Sequence, residues 1–115
     1  MLTEHGIQFE LTREPGGTPL AEDIRSLLLS QHSETFWPKT EALLLYASRV
    51  QHVENKIKPA LAQGKWVLCD RFFDATFAYQ GGGRQVELES LKSLNRWALG
   101  DFAPDLTFLL DAPVE

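Results

Sequence analysis

Apolar and polar residues alternate over "IQFELT" (7–12), between Gly6 and the run "EPGGTP", and this two-residue period predicts a strand. The segment "REPGGTP" (13–19) predicts a loop, because its prolines and glycines exclude a regular element. Thr18 is placed to cap a helix with Pro19 at its first position, and "LAEDIRSLLLSQ" continues it. Glu22 and Asp23 fall in the first turn, where the helix dipole favours acids. A second helix is predicted from about Thr40 to Gln63, with the apolar stripe Leu43, Ala47, Val50, Val53, Ile57 and Leu61. Pro59 predicts a kink around residues 55–58, and Gly64 a stop. "KWVLCD" (65–70) is a short, continuous apolar run, the pattern of a strand buried on both faces of a parallel sheet. "VELESLKSLNRWALG" (86–100) predicts a third helix ended by Gly100, and "PDLTFLLD" (104–111) another buried strand. Strands alternating with helices in this order define an α/β chain, a parallel sheet flanked by helices.

The 115 residues suit one domain, and 43% hydrophobic with 23% charged residues suit an ordinary globular core. The net charge of −5 argues against a general nucleic-acid partner, since phosphate backbones select basic surfaces. One or two phosphates need only local arginines. The single cysteine, Cys69, excludes an internal disulfide and a Cys-rich zinc site, and reads as a small core residue. No apolar stretch approaches the roughly 20 residues of a membrane span, so no membrane partner is expected. The opening "MLTEHGIQFE" lacks a basic segment followed by an apolar one, so a cytoplasmic protein is expected. The chain opens directly on what reads as a helix end and a strand, and stops just after another strand. Residues 1–115 are therefore expected to be one partial domain of a longer protein.

Ligands of open parallel α/β sheets bind outside the carboxyl ends of the strands. Three loops leave such ends, beginning at Arg13, Asp70 and Asp111, and the first two bring Arg13, Glu14, Asp70 and Arg71 to one rim. Acids at strand tips suit a hydrated Mg²⁺, which needs few protein ligands, and arginines suit the phosphate it accompanies. The rim alone thus suggests phosphoryl chemistry. Plainer roles stand beside this one. Asp70–Arg71 could be a surface ion pair, "EPGGTP" only a tight turn, Gly81–Gly83 only a flexible loop, and Arg49 a side chain snorkelling to water. His5, His32 and His52 lack metal-like spacing and are assigned nothing; Trp37, Trp66 and Trp97 read as packing residues.

"LTREPGGTPLAEDIRSLLL", "LLLYASRVQHVENKIKPAL", "VLCDRFFDATFAYQGGGR" and "LGDFAPDLTFLLDAPVE" together resemble bacterial thymidylate kinase, in that family's order and spacing and over nearly the whole chain. The resemblance implies the P-loop nucleotide kinase fold, transfer of the γ-phosphoryl of ATP to dTMP with Mg²⁺, and a homodimer. It implies that Arg71 holds the dTMP phosphate and that Asp70 orders the Mg²⁺ water shell or Arg71 itself. Arg13 and Glu14 would border the phosphate and sugar, and Arg25 would reach the same phosphate. Arg49 and Gln80 would read the thymine edge with Thr76 beside them, and Tyr79 would lie against the deoxyribose. The family often stacks a phenylalanine on thymine where this chain has Leu45; Tyr46, one residue later, is the alternative platform. No G-x-x-x-x-G-K-[ST] loop occurs in the chain, so that loop is expected before residue 1 and the arginine-bearing lid after Glu115. The 115 residues alone are expected to be inactive.

Two other functions remain open at this level. A kinase of another deoxynucleoside or nucleotide would share the strand-tip acid–arginine pair, though "REPGGT" and the pairing of "YASR" with "YQGGGR" speak against it. A non-catalytic nucleotide-binding or dimerisation module is the other.

Overall fold

A computed structural model describes residues 6–70 and 87–105. Its order is β1 (Phe9–Arg13), α1 (Pro19–Leu29), α2 (Pro38–His52), a π-helical turn (Val53–Ile57), α3 (Lys58–Ala62), β2 (Trp66–Asp70) and α4 (Leu88–Leu99). The strands pair in parallel, Phe9 beside Trp66 through Arg13 beside Asp70. Parallel neighbours need a crossover, and here it runs through α1, α2 and α3. The architecture is the expected one of parallel strands flanked by helices.

Local chemistry explains the boundaries. Thr18 accepts the Ala21 N–H at 3.3 Å and Pro19 opens α1, as its spacing predicts. α2 begins at Pro38, ahead of the expected Thr40, because a fixed φ and a missing N–H suit the first helical position. The interruption ahead of Pro59 takes the form of the π-helical turn: the Lys58 N–H reaches back to the Val53 carbonyl. Widening this turn makes room for a ring that would otherwise press on the carbonyl four residues earlier. Gly100 ends α4 at φ +62°, its N–H bonded to the Arg96 carbonyl at 2.9 Å.

Two expectations about burial are corrected. The buried face of α2 and its continuation carries Ala42, Tyr46, Arg49, His52, Val53, Ile57 and Ala60, whereas Leu43 and Leu61 are exposed. Polar residues occupy this face because each finds a partner on β1, α4 or the loop after β1. β2 also departs from two-sided burial, with Trp66 and Leu68 exposed. Its other face is covered: Val67 packs on the core of Val53, Ile57 and Leu99, with Ala98 and Phe102 beside it. The third strand expected at 104–111 lies outside the described residues except for 104–105, which are not strand.

α1 and α2 pack closely through small residues. Ala21 is 0% exposed and its carbonyl accepts the Ser48 hydroxyl at 3.4 Å. Ala21→Leu in the intact protein is therefore expected to cost about 1–3 kcal/mol of stability by overpacking. Chemical denaturation followed by circular dichroism checks this.

Candidate active site

The register that sets Arg13 beside Asp70 continues one residue further, where the Glu14 N–H donates to the Asp70 carbonyl at 2.9 Å. Arg13, Glu14 and Asp70 thus share one rim at the carboxyl ends of the strands. Arg71, the fourth member expected there, lies outside the described residues, as do Thr76, Tyr79 and Gln80.

The loop from Glu14 to Thr18 turns sharply. Its Glu14–Pro15 bond is cis, and Gly16 and Gly17 have φ of +131° and +103°. These are values side chains rarely adopt. The turn aims the Pro15 carbonyl at two guanidinium groups: Arg13 Nη1 donates to it at 2.8 Å and Arg25 Nη1 at 3.1 Å. Arg13 Nη2 also meets both Glu22 carboxylate oxygens, at 3.1 and 3.3 Å. The Gly17 N–H donates to Glu22 Oε1 at 3.1 Å. That N–H is the main reason the Glu22 carboxyl is held below its usual pKa; slight burial opposes it, and the charges of Arg13 and Arg25 add to it. Two of the residues expected at the acceptor phosphate, Arg13 and Arg25, are therefore brought together at one carbonyl.

Behind this corner lies a buried ionic cluster. Glu14 is 5% exposed and both its carboxylate oxygens are engaged by α2. Arg49 Nε donates to Oε1, and His52 Nδ1 to Oε2. An ionised carboxylate only accepts, so Nδ1 carries the proton. The other imidazole nitrogen, Nε2, lies 2.6 Å from the Thr12 hydroxyl on β1. Arg49 sits 4.9 Å from the centre of the Tyr46 ring, within cation–π range. Tyr46, 2% exposed, donates its hydroxyl to Asn95 Oδ1 on α4 at 2.9 Å. Burial raises the Tyr46 phenol pKa, and the nearby Arg49 charge partly offsets this. Leu45, the other residue expected to be a platform, is half-buried on the neighbouring face of α2.

His52 is the member that the sequence pattern left without a role. The available signal was its three-residue spacing from Arg49, which puts both on one helix face opposite a loop acid. Among the described residues no group of three or more His, Cys, Asp or Glu gathers to hold a metal ion, and Asp70 is an exposed carboxylate at the rim. A cleft of about 460 Å³ is lined by Thr12, Arg13, Gly17, Thr18, Glu22 and Lys56.

The family model described as thymidylate kinase matches residues 1–115. The chain is 55% identical over 114 residues to the thymidylate kinase of Pseudomonas putida strain F1, covering 99% of this chain and 54% of that protein. It is 56% identical over 110 residues to that of Pseudomonas fluorescens strain Pf0-1, covering 96% of this chain and 52% of that protein. Among solved structures, thymidylate kinase from Ehrlichia chaffeensis superposes with a TM-score of 0.82 at 42% identity, covering 92% of this chain and 59% of that one. The chain spans about half the length of the curated relatives it matches.

Two predictions come from this geometry. A Cβ on Gly17 would collide with the buried His52 ring and crowd the Thr12 hydroxyl. Gly17→Ala should thus cost at least about 1–3 kcal/mol from its positive φ alone, with the collision in addition. The drop in thermal midpoint of the intact protein measures it. The second prediction concerns Cys69, whose thiol is pushed up from 9.0 to about 12, first by burial, then by the Glu14 charge, with Arg49 opposing and Asp70 adding. Unfolded, the thiol ionises near its ordinary value, so the folded state binds more protons between that value and about 12, and this share of stability falls as pH rises through the window. At pH 9 the folded thiol should react with iodoacetamide about a hundredfold or more slower than the same thiol in denaturant.

Proposed function

This chain belongs to the thymidylate kinase family, and on that premise we propose that the whole protein transfers the γ-phosphoryl of ATP to dTMP, giving dTDP. The observation that supports this most is the rim itself: parallel register sets Arg13 beside Asp70, and α2 brings Arg49 onto Glu14. Phosphoryl transfer asks a protein chiefly for alignment and charge neutralisation, and the described residues of this rim offer arginines and acids for it.

Arg13 and Arg25, already converging on the Pro15 carbonyl, would take the acceptor phosphate together with Arg71. Arg49 would address the thymine edge with Gln80 and Thr76, and Tyr79 would lie against the sugar. With Tyr46 tied to Asn95, Leu45 is the better candidate for the apolar surface under the base. Glu14 would serve catalysis by orientation, since both its oxygens are occupied in holding α2. An exposed strand-tip carboxylate such as Asp70 fits Mg²⁺, a cation that keeps most of its waters and needs few protein ligands. Bound there through water, the ion would supply charge neutralisation between the two phosphate groups. A homodimer and a cytoplasmic location complete the reading.

A coupled ADP-release assay of the full-length protein against a panel of nucleoside monophosphates tests it. Turnover should be fastest with dTMP; equal or faster turnover of another monophosphate would overturn the assignment. In the same assay Arg49→Ala should weaken dTMP by about 10- to 150-fold, the range for a charged hydrogen bond lost in a desolvated site, and leave ATP nearly unchanged. Equal losses on both substrates would reduce Arg49 to a structural residue.

A further inference from the structure

We propose that His52 is a positioning residue for the acceptor nucleotide, acting through Glu14 on Arg49 and through Gly17 on the loop that gathers Arg13 and Arg25. The substrate in this inference rests on the proposed function; the residue rests on geometry alone.

His52 is 0% exposed, and both its nitrogens are engaged: Nδ1 with Glu14 Oε2, and Nε2 with the Thr12 hydroxyl at 2.6 Å. A leucine could fill the same space, but it could hold neither partner. The Glu14 partner is the informative one. A glutamate's last torsion is broad, so one contact leaves the carboxylate plane free to turn. Here its two oxygens are held by two residues one helical turn apart on α2, Arg49 and His52. Two fixed points set the plane, and the plane then sets the direction from which Oε1 accepts Arg49 Nε. His52 thereby orients a guanidinium it does not touch.

The imidazole also forms the floor of the loop. Gly17 lies so close that even a methyl group there would strike the ring. Gly17 in turn gives its N–H to Glu22, which holds Arg13, and Pro15 of the same turn accepts both Arg13 and Arg25. With Thr12 next to Arg13 on β1, the ring braces strand, loop and helix at once. Displacing it loosens the residues assigned to the base and those assigned to the phosphate. The arginines this network holds, Arg13, Arg25 and Arg49, are those assigned above to the acceptor nucleotide, so its loss should fall on that substrate.

The test is steady-state kinetics of the full-length protein with each substrate varied in turn, for His52→Leu, His52→Asn and His52→Gln. Ile57→Val, from the apolar core at the π-helical turn that continues α2, controls for lost stability. His52→Leu should raise KM for dTMP about tenfold or more while KM for ATP stays within about twofold. His52→Asn should recover most of the loss, because its amide nitrogen stands near the place of Nδ1 and can donate to Glu14. His52→Gln, which reaches toward Thr12 instead, should recover less. Ile57→Val should lower the thermal midpoint without moving either KM. A folded His52→Leu protein with unchanged KM for dTMP overturns the inference. So does an equal rise for both substrates without rescue by asparagine. If His52→Leu does not fold, equal KM values for the asparagine and glutamine variants overturn it. A wild-type protein inactive on dTMP overturns the proposed function and this inference with it, whereas an active wild type with unmoved His52 variants overturns this inference alone.

Discussion

The buried carboxylate of Glu14 is the constraint on which the arrangement of the rim depends. A charge taken out of water costs several kcal/mol unless it is paired and hydrogen-bonded. Glu14 meets that demand only if Arg49 and His52 reach it together, which they do from one face of α2. Satisfying the carboxylate therefore fixes how α2 stands against the loop after β1. The pair is weak evidence for net stability, because an apolar replacement of similar shape could hold the helix as well. What it secures is orientation: it admits one placement of Arg49 relative to the strand tips.

From that placement the rest of the rim follows. The Glu14 backbone extends the parallel ladder onto Asp70, so the same residue that anchors α2 also locks the two strand ends side by side. The turn beyond it bends the Pro15 carbonyl back to Arg13 and Arg25. The cluster's negative charge is felt at Cys69, where burial and Glu14 keep the thiol protonated. Arginines gathered by a carbonyl and an acid are preorganised, and preorganised charge is what the proposed transfer between two anionic groups would require.

Much of the fold was legible in the chain. Alternation marked β1, an apolar run marked β2, and Thr18, Pro19, Gly64 and Gly100 marked element ends by local chemistry that tertiary contacts did not override. The proline's disturbance of the long helix was also legible, though not that it would widen a turn. The buried face of α2 was not. Hydrophobic periodicity equates apolar with buried, and at Tyr46, Arg49 and His52 burial is decided by partners on other elements, Asn95, Glu14 and Thr12. Such pairings have only a faint local signature, the shared helix face of Arg49 and His52, so apolar periodicity points to Leu43, which is exposed, and passes over His52, which is buried. The rim of Arg13, Glu14 and Asp70 was legible because it needs only the topology of a parallel sheet. The expected roles of Arg71, Thr76, Tyr79 and Gln80 lie outside the described residues.

The central claim, that Glu14 and α2 hold one another, is tested most directly by a double-mutant cycle in equilibrium unfolding of the intact protein. The variants are Glu14→Gln, Arg49→Met and the two combined. Each single change strands a buried charge, so each should cost several kcal/mol. The double variant should cost less than their sum, with a coupling energy of about 1–3 kcal/mol. Losses that add to within about 0.5 kcal/mol would show that the two residues do not depend on one another, and would contradict the account.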